Sequence, residues 1–243
     1  HRLGLEQSLR SVSFFPQGHE IRQWNSGKLL FHSLLGDQDI HRYGFPYYHV
    51  HRGDLIRILM DAVQREPNIT LHADAMVMGC EGSTLILADG SVEGDVVVGA
   101  DGIHSAVRKS IFGDELPRFT RNVAWRGVVP TERLPEGWVP PVTSIWLGYG
   151  QHFVNYYIRS GELVNWVGVV ENSGWRVESW LEKGEHAELK ADFCGWHENI
   201  RVLIDAMDPD QCYKWALFDR DPMPRWSVGP ATLLGDACHP TLP

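Results

Sequence analysis

Val96-Val97-Val98 runs without a break into Gly99-Ala100-Asp101-Gly102 and on to Ile103-His104-Ser105-Ala106-Val107-Arg108. A short β-branched run of this kind is the pattern of a strand buried on both faces of a layered α/β domain. Glycines directly behind it, ahead of residues suited to a helix from Ser105 to Phe112, mark a strand–turn–helix. Near the far end, Leu233-Leu234-Gly235-Asp236-Ala237-Cys238-His239-Pro240 repeats that order: an apolar strand over Ala231 to Leu234, a tight Gly-Asp turn, then small residues. Together the two segments require a sheet with helices packed against it.

The stretches around them add detail. Leu3-Gly4-Leu5 reads as the end of a helix. Gly53 to Glu66 reads as a helix, with Asp54 as cap, Leu55, Leu59 and Val63 at a spacing of four, and Pro67 as the stop. Ile69 to His72, Met76 to Cys80 and Thr84 to Leu87 read as strands, the last closed by an Asp89-Gly90 turn. After Pro117 the character changes. Arg121 to Val129, Thr143 to Tyr149, Gln151 to Arg159 and Glu162 to Val170 are aromatic and β-branched, which predicts an antiparallel sheet. Trp175 to Trp196 and Glu198 to Met207 are expected to be helical, and Tyr213 to Phe218 to return as a strand. The expected organisation is an α/β unit over 1–117, a sheet unit over 118–226, and a return to the first unit over 227–243.

Bulk properties narrow the function classes. A chain of 243 residues with 43% hydrophobic content can bury a substantial core. Net charge is −9 and the basic residues are scattered, so there is no electrostatic footprint for nucleic acid. No apolar run approaches the roughly 20 residues that span a bilayer, and no signal-peptide pattern opens the chain. The four cysteines, Cys80, Cys194, Cys212 and Cys238, are widely spaced, which suits reduced thiols in a cytoplasmic protein. His49 and His51 share one side of an extended segment but lack a third ligand at recognisable spacing, which argues against a metal site.

Candidate site residues follow from position. A carboxylate at Asp101, where a strand meets a helix, suits ribose or ribityl hydroxyls, and the Ser105 end of the helix suits a phosphate; the same residues also make an ordinary turn with Ser105 as N-cap. Asp236 offers a second strand-end carboxylate, either for a polyol chain or as a plain surface turn, with Pro240 stiffening the backbone beyond it. Arg52 stands at a helix start, where forked donors reach a pyrophosphate or simply solvent. On the strand from Gln151, alternation puts His152, Val154, Tyr156 and Ile158 on one face and Phe153, Asn155 and Tyr157 on the other. His152 is then a candidate base and Tyr156 a hydrogen-bond partner for a phenol, or the two are ordinary sheet residues. Both faces are aromatic, so alternation leaves the inward face open. Arg126 and Arg159 are the cations available for a carboxylate.

In order and spacing, His51-Arg52-Gly53-Asp54-Leu55, Gly99-Ala100-Asp101-Gly102 with Ser105 and Arg108, and Gly235-Asp236-Ala237-Cys238-His239-Pro240 resemble three successive motifs of the single-component flavoprotein hydroxylases, especially the salicylate hydroxylase and 3-hydroxybenzoate 6-hydroxylase branch. The resemblance implies a Rossmann-like FAD-binding unit with a substrate sheet of the p-hydroxybenzoate hydroxylase type. It implies FAD contacts at Arg52, Gly235, Asp236, Ala237, His239 and Pro240 and at the backbone of Val77, and a cofactor contact, to FAD or to NAD(P)H, at Asp101 and Gly102. It also implies NADH or NADPH as cosubstrate, O2, and a phenolic aromatic acid contacted by His152 and Tyr156, whose His-x-x-x-Tyr spacing is similar to that branch. The family's opening βαβ unit, with GxGxxG and an acidic ribose ligand, has no counterpart here, so the resemblance implies a chain shortened at both ends. A homodimer is the default expectation for a soluble oligomer. The alternatives are a related flavoprotein acting on quinones or alkenes, and a non-catalytic piece that does not hold FAD.

Overall fold

The computed structural model describes residues 2–172, 174 and 182–242. In chain order, helix α1 (Glu6–Val12) precedes strands β1 (Gly18–Gln23) and β2 (Leu29–Leu34), helix α2 (Asp37–Tyr43) and helix α3 (Arg52–Arg65). A three-stranded meander follows, β3 (Val77–Glu81), β4 (Thr84–Leu87) and β5 (Gly90–Glu93), then β6 (Val97–Gly99) and α4 (Ala106–Phe112). Long strands come next, β7 (Arg118–Pro130), β8 (Thr143–Gly148), β9 (Gln151–Ile158) and β10 (Leu163–Glu171). The chain closes with α5 (His186–Asp192), α6 (Glu198–Ala206), β11 (Tyr213–Asp219), β12 (Ser227–Val228) and β13 (Ala231–Leu233).

Two compact units result, one from residues 1–69 and 122–216, the other from 70–121 and 217–243. The chain passes between the units at 69/70, 121/122 and 216/217, where the sequence suggested 117 and 226. The first 69 residues differ: they group with the sheet unit. The reason is pairing, because β1 runs parallel to β8 from His19 opposite Thr143 to Gln23 opposite Leu147, and β2 adds on antiparallel to β1. Neither strand was anticipated, and the sheet is therefore mixed rather than purely antiparallel.

In the sheet unit the order is β11-β7-β10-β9-β8-β1-β2. The face carrying Trp146, Phe153, Trp166 and Trp125 packs against α5 and α6 through Leu189, Phe193, Ile200 and Leu203, all buried. Burying side chains of this size contributes about 1.5–3 kcal/mol each. Phe153 stacks on Trp166 at 5.1 Å and meets Phe193 edge-on at 5.4 Å, the geometries that aromatic quadrupoles favour. The inward face is thus the Phe153 and Asn155 face, and His152, Val154 and Tyr156 lie on the other.

Helix α3 starts one residue earlier than expected and ends before Pro67, with Glu66 already extended (ψ 110°). Asp54 is not its cap. His51 occupies that position without a side-chain bond, and Asp54 and Ile58 form the buried face while Leu59 is exposed. The helix near the start begins at Glu6 rather than ending at Leu5. Ile69 to His72 forms no strand. The expected helix over Trp175 to Trp196 falls partly outside the described residues; within them it is confined to α5.

In the second unit β6 pairs in parallel with β13, Val97 opposite Ala231, and β12 adds on antiparallel. The core here is Cys80, Val97, Val107, Ala231, Leu233, Ala237 and Cys238. Gly99 allows α4 to approach the strand, since a Cβ there would stand 2.7 Å from Val107 Cβ and 3.0 Å from Leu233 Cδ2. The valine run is not covered on both faces among the described residues: Val97 is buried, while Val96 and Val98 are exposed. Helix α4 packs on the Val97 and Gly99 side alone.

Candidate functional site

The Gly-Asp turn of the second unit is built by β13, which brings the chain to a 3-10 turn at Gly235–Ala237. Gly235 sits at φ +63°, a conformation that favours glycine, with nothing within 4 Å of where a Cβ would point. Its carbonyl accepts from the N–H groups of Cys238 and His239, both at 3.0 Å. Ala237 and Cys238 turn inward to the core, which leaves Asp236 outward and exposed. Its carboxylate makes no hydrogen bond or ion pair among the described residues. His239 is exposed beside Trp226, ring centroids 5.2 Å apart, and Pro240 is half-buried.

The turn after β6 is organised differently. Ser105 donates to Asp101 Oδ1 at 2.5 Å, Val107 N–H donates to Asp101 Oδ2 at 3.2 Å, and Arg108 N–H donates to Ser105 Oγ at 2.8 Å. Asp101 and Ser105 therefore both cap α4, and the N–H groups of Val107 and Arg108 are taken up by the chain itself. Gly102, at φ +79°, faces open space. Val77 is half-buried on β3 at a bulge opposite Leu87.

Arg108 connects the two turns. It is buried on α4, donates from Nη1 to the Ala237 carbonyl at 3.3 Å, and reaches Glu115 Oε2 from Nη2 at 2.6 Å. Arg220 supports the first turn, with Nε and Nη2 at 3.1 and 2.8 Å from the Ile103 carbonyl. Arg108 was visible as part of a motif; Arg220 carried no sequence signal, being one arginine in an irregular stretch.

In the sheet unit, register fixes what shares a face. Tyr156 lies opposite Asn165, and Val154 opposite Val167, which is itself opposite Arg126. Arg126 is thus on the face of His152 and Tyr156. Its guanidinium stands 4.1 Å from the ring of Trp215. Burial pulls its pKa down, Tyr156 opposes that, and Arg52 adds to it. Burial likewise raises the Tyr156 phenol, with Arg126 opposing, and lowers the imidazole of half-buried His152. A neutral His152 and a protonated Tyr156 result. Arg52 is the exposed first residue of α3. Arg159 is committed elsewhere, to Asp54 at 2.8 Å.

His49 belongs to this face. Its Nδ1 lies 3.1 Å from the Tyr157 carbonyl, which only accepts, so Nδ1 carries the proton and Nε2 accepts from the Thr143 hydroxyl at 2.9 Å. Its ring is 4.5 Å from that of Tyr156. Burial lowers its pKa to about 4, with the Tyr157 carbonyl opposing and His19 adding to the fall.

Known proteins resemble this chain over nearly its whole length. A 3-amino-4-hydroxybenzoate 2-monooxygenase, PtmB3, from Streptomyces platensis is 40% identical over all of this chain and 61% of its own length. A 6-hydroxynicotinate 3-monooxygenase from Pseudomonas fluorescens is 34% identical over all of this chain and 63% of its own. A 3-hydroxybenzoate 6-hydroxylase from Polaromonas naphthalenivorans is 31% identical over 98% of this chain and 60% of its own. The chain thus spans about three fifths of the length of these proteins. Among solved structures, Klebsiella pneumoniae HpxO complexed with FAD and uric acid superposes with a TM-score of 0.84 at 26% identity, over 99% of this chain and 61% of that one. A salicylate hydroxylase substrate complex gives 0.79 at 25% identity, over 98% and 62%. The α/β fold and the resemblance read from the three motifs are both borne out. Residues 3–243 match the FAD binding domain family, and the chain belongs to it.

Proposed function

We propose that this chain supplies the cofactor-binding and substrate-binding parts of an FAD-dependent monooxygenase that hydroxylates a phenolic aromatic acid with NADH or NADPH and O2. The observation that carries the reading is the match over essentially the whole chain to two monooxygenases and a hydroxylase of hydroxylated ring acids, at 40%, 34% and 31% identity.

The residues of the second unit fit FAD. Asp236 is an exposed carboxylate without a protein partner, beside open space at Gly235, and a ribityl chain offers the hydroxyl donors it lacks. Ala237, His239 and Pro240 border the same turn. Gly102 lets a ligand approach the first turn, while Asp101 acts by holding α4 in place. The backbone of Val77 completes the FAD contacts that the motifs imply within this unit. FAD, when bound, carries electrons from NAD(P)H to O2 and delivers one oxygen atom to the ring.

The sheet face binds the ring. Arg126 provides the cation for a carboxylate, Tyr156 a phenol hydrogen bond, and His152, held neutral, accepts the proton of a substrate hydroxyl. Val154 and Val167 give the apolar surface between them. Cys80, Cys194, Cys212 and Cys238 are free thiols, which suits a reducing cytoplasm, and a homodimer belongs to the same reading. Among the described residues no helix is long and apolar enough to cross a membrane.

The test is a screen of hydroxybenzoates, aminohydroxybenzoates and hydroxynicotinates with the full-length protein, following NADH and NADPH oxidation, O2 uptake and product together. Substrate-stimulated oxidation with one oxygen atom incorporated per turnover is expected. A protein that purifies colourless and takes up no FAD on reconstitution overturns the reading, as does oxidation without an oxygenated product.

A further inference from the structure

The aromatic face of the sheet, opposite the one that bears His152 and Tyr156, encloses a cavity of about 230 Å³. It is lined by Ser144, Trp146 and Asn155 of neighbouring strands, by Arg22, by Asn199 of α6 and by Trp138. Ser144 and Asn155 are paired in register, so their side chains meet at one spot.

The hydrogen-bonding state of that spot is incomplete. Among the described residues the hydroxyl of Ser144, which is 1% exposed, has no partner, and the buried indole N–H of Trp138 has none either. Asn155 is 3% exposed, and its Oδ1 accepts from Trp146 Nε1 at 3.2 Å, which leaves its NH2 without a partner among the described residues. Buried polar groups left without a partner, as the Ser144 hydroxyl and the Trp138 indole are, cost about 1–3 kcal/mol each, so they normally mark something that completes them. All three can donate. What completes them is therefore rich in acceptors.

Charge and size narrow the class. Arg22 is balanced by Glu20, with Nη2 at 2.7 Å and Nε at 2.8 Å from the same carboxylate oxygen. Among the described residues no carboxylate lines the cavity, and Arg22, the cation at it, is already neutralised by Glu20. A cavity of about 150 Å³ admits benzene, whereas drug-sized ligands need at least about 300 Å³. Between these limits lies a single ring with one polar substituent, and the indoles of Trp146 and Trp138 supply flat walls for it.

We propose that this cavity is a second ligand site, selective for an uncharged one-ring compound bearing a carbonyl or amide acceptor. The carbonyl oxygen accepts from Ser144, Asn155 and Trp138, and the ring lies along Trp146. The inference is independent of flavin binding and of the monooxygenase reading.

Benzamide and benzoate are the probes, titrated into full-length protein labelled with 15N-tryptophan. The Trp138 indole signal is assigned by its loss in Trp138→Phe. A saturable shift of that signal with benzamide, at least tenfold weaker with benzoate, is expected, and Ser144→Val should weaken benzamide by about tenfold, the effect of one lost hydrogen bond. If Ser144→Val does not fold, saturation transfer to benzamide in Trp138→Phe replaces it, with the same loss expected. No saturable shift up to the solubility of benzamide would show that the cavity holds water only and overturns the proposal. Equal or tighter benzoate binding, or unchanged affinity in the variants, overturns it as well.

Discussion

Arg159 holds the Asp54 carboxylate with two nitrogens, Nε at 2.8 Å from Oδ2 and Nη2 at 3.2 Å from Oδ1, and so ties the end of β9 to the first turn of α3. Arg159 and the following Ser160 both have positive φ, +48° and +55°, so the fork is reached through a strained backbone. These bonds hold the Asp54 carboxyl below its ordinary pKa. A depressed acid contributes stability above its unfolded value of 3.8 and loses it as pH falls below that. Asp54→Ala should destabilise the fold by about 1–3 kcal/mol at pH 7, read as a lower urea midpoint, with the gap to wild type narrowing toward pH 3. An unchanged midpoint would mean that the fork is only a solvated surface contact.

His49 adds a loss of stability in acid from a different cause and at higher pH. Its folded pKa of about 4 lies below the unfolded 6.5, so only the unfolded chain takes up a proton between those values. The stability linked to His49 is complete above pH 6.5 and falls as pH drops toward 4, by up to about 3 kcal/mol. His49→Asn keeps a donor and an acceptor for Tyr157 and Thr143 and should flatten that slope. Thermal melts of the two proteins at pH 7.5 and 5.0 measure it, and equal slopes would remove His49 as the source.

Legibility in the sequence followed the range of the interactions involved. The Gly99 and Gly235 turns were readable because backbone conformation and close approach act locally. The strands Thr143–Gly148, Gln151–Ile158 and Leu163–Glu171 announced themselves by composition. β1 was missed because Gly18-His19-Glu20-Ile21-Arg22-Gln23 has a polar majority; it is a strand through its pairing with β8, a contact more than a hundred residues away in sequence. The same holds for the site. Asp236 is proposable from its turn alone, whereas the inward face of β9, the commitment of Arg159 to Asp54 and the contacts of His49 exist only once distant segments meet.

His152 is kept neutral by burial, which readies it as a proton acceptor at pH 7 within the proposed reaction. The acid limb of the kcat profile should therefore lie below pH 6.5, the ordinary histidine value. His152→Asn should lower kcat by about 10²–10⁴-fold, the usual contribution of a general base, and abolish that limb. Substrate titrations of flavin absorbance separate this from lost binding. A profile unchanged in His152→Asn would assign the proton transfer to another group.

Asp236 and Arg108 should separate by what their loss damages. Arg108 is buried and holds the Ala237 carbonyl and the exposed Glu115, so Arg108→Met should destabilise the protein by about 1–3 kcal/mol, chiefly through the Ala237 carbonyl left without its donor. Asp236 is exposed and bonded to nothing among the described residues, so Asp236→Ala should leave the melting temperature of the FAD-free protein unchanged. Its cost appears only on adding FAD: a lost charge-assisted hydrogen bond of about 1.5–3 kcal/mol weakens the flavin Kd roughly 10–100-fold. Fluorescence titration of FAD into full-length protein measures this directly. Equal FAD affinity in Asp236→Ala and wild type would move the ribityl contact away from the Gly-Asp turn. A fall in FAD-free stability would instead show that the carboxylate supports the fold.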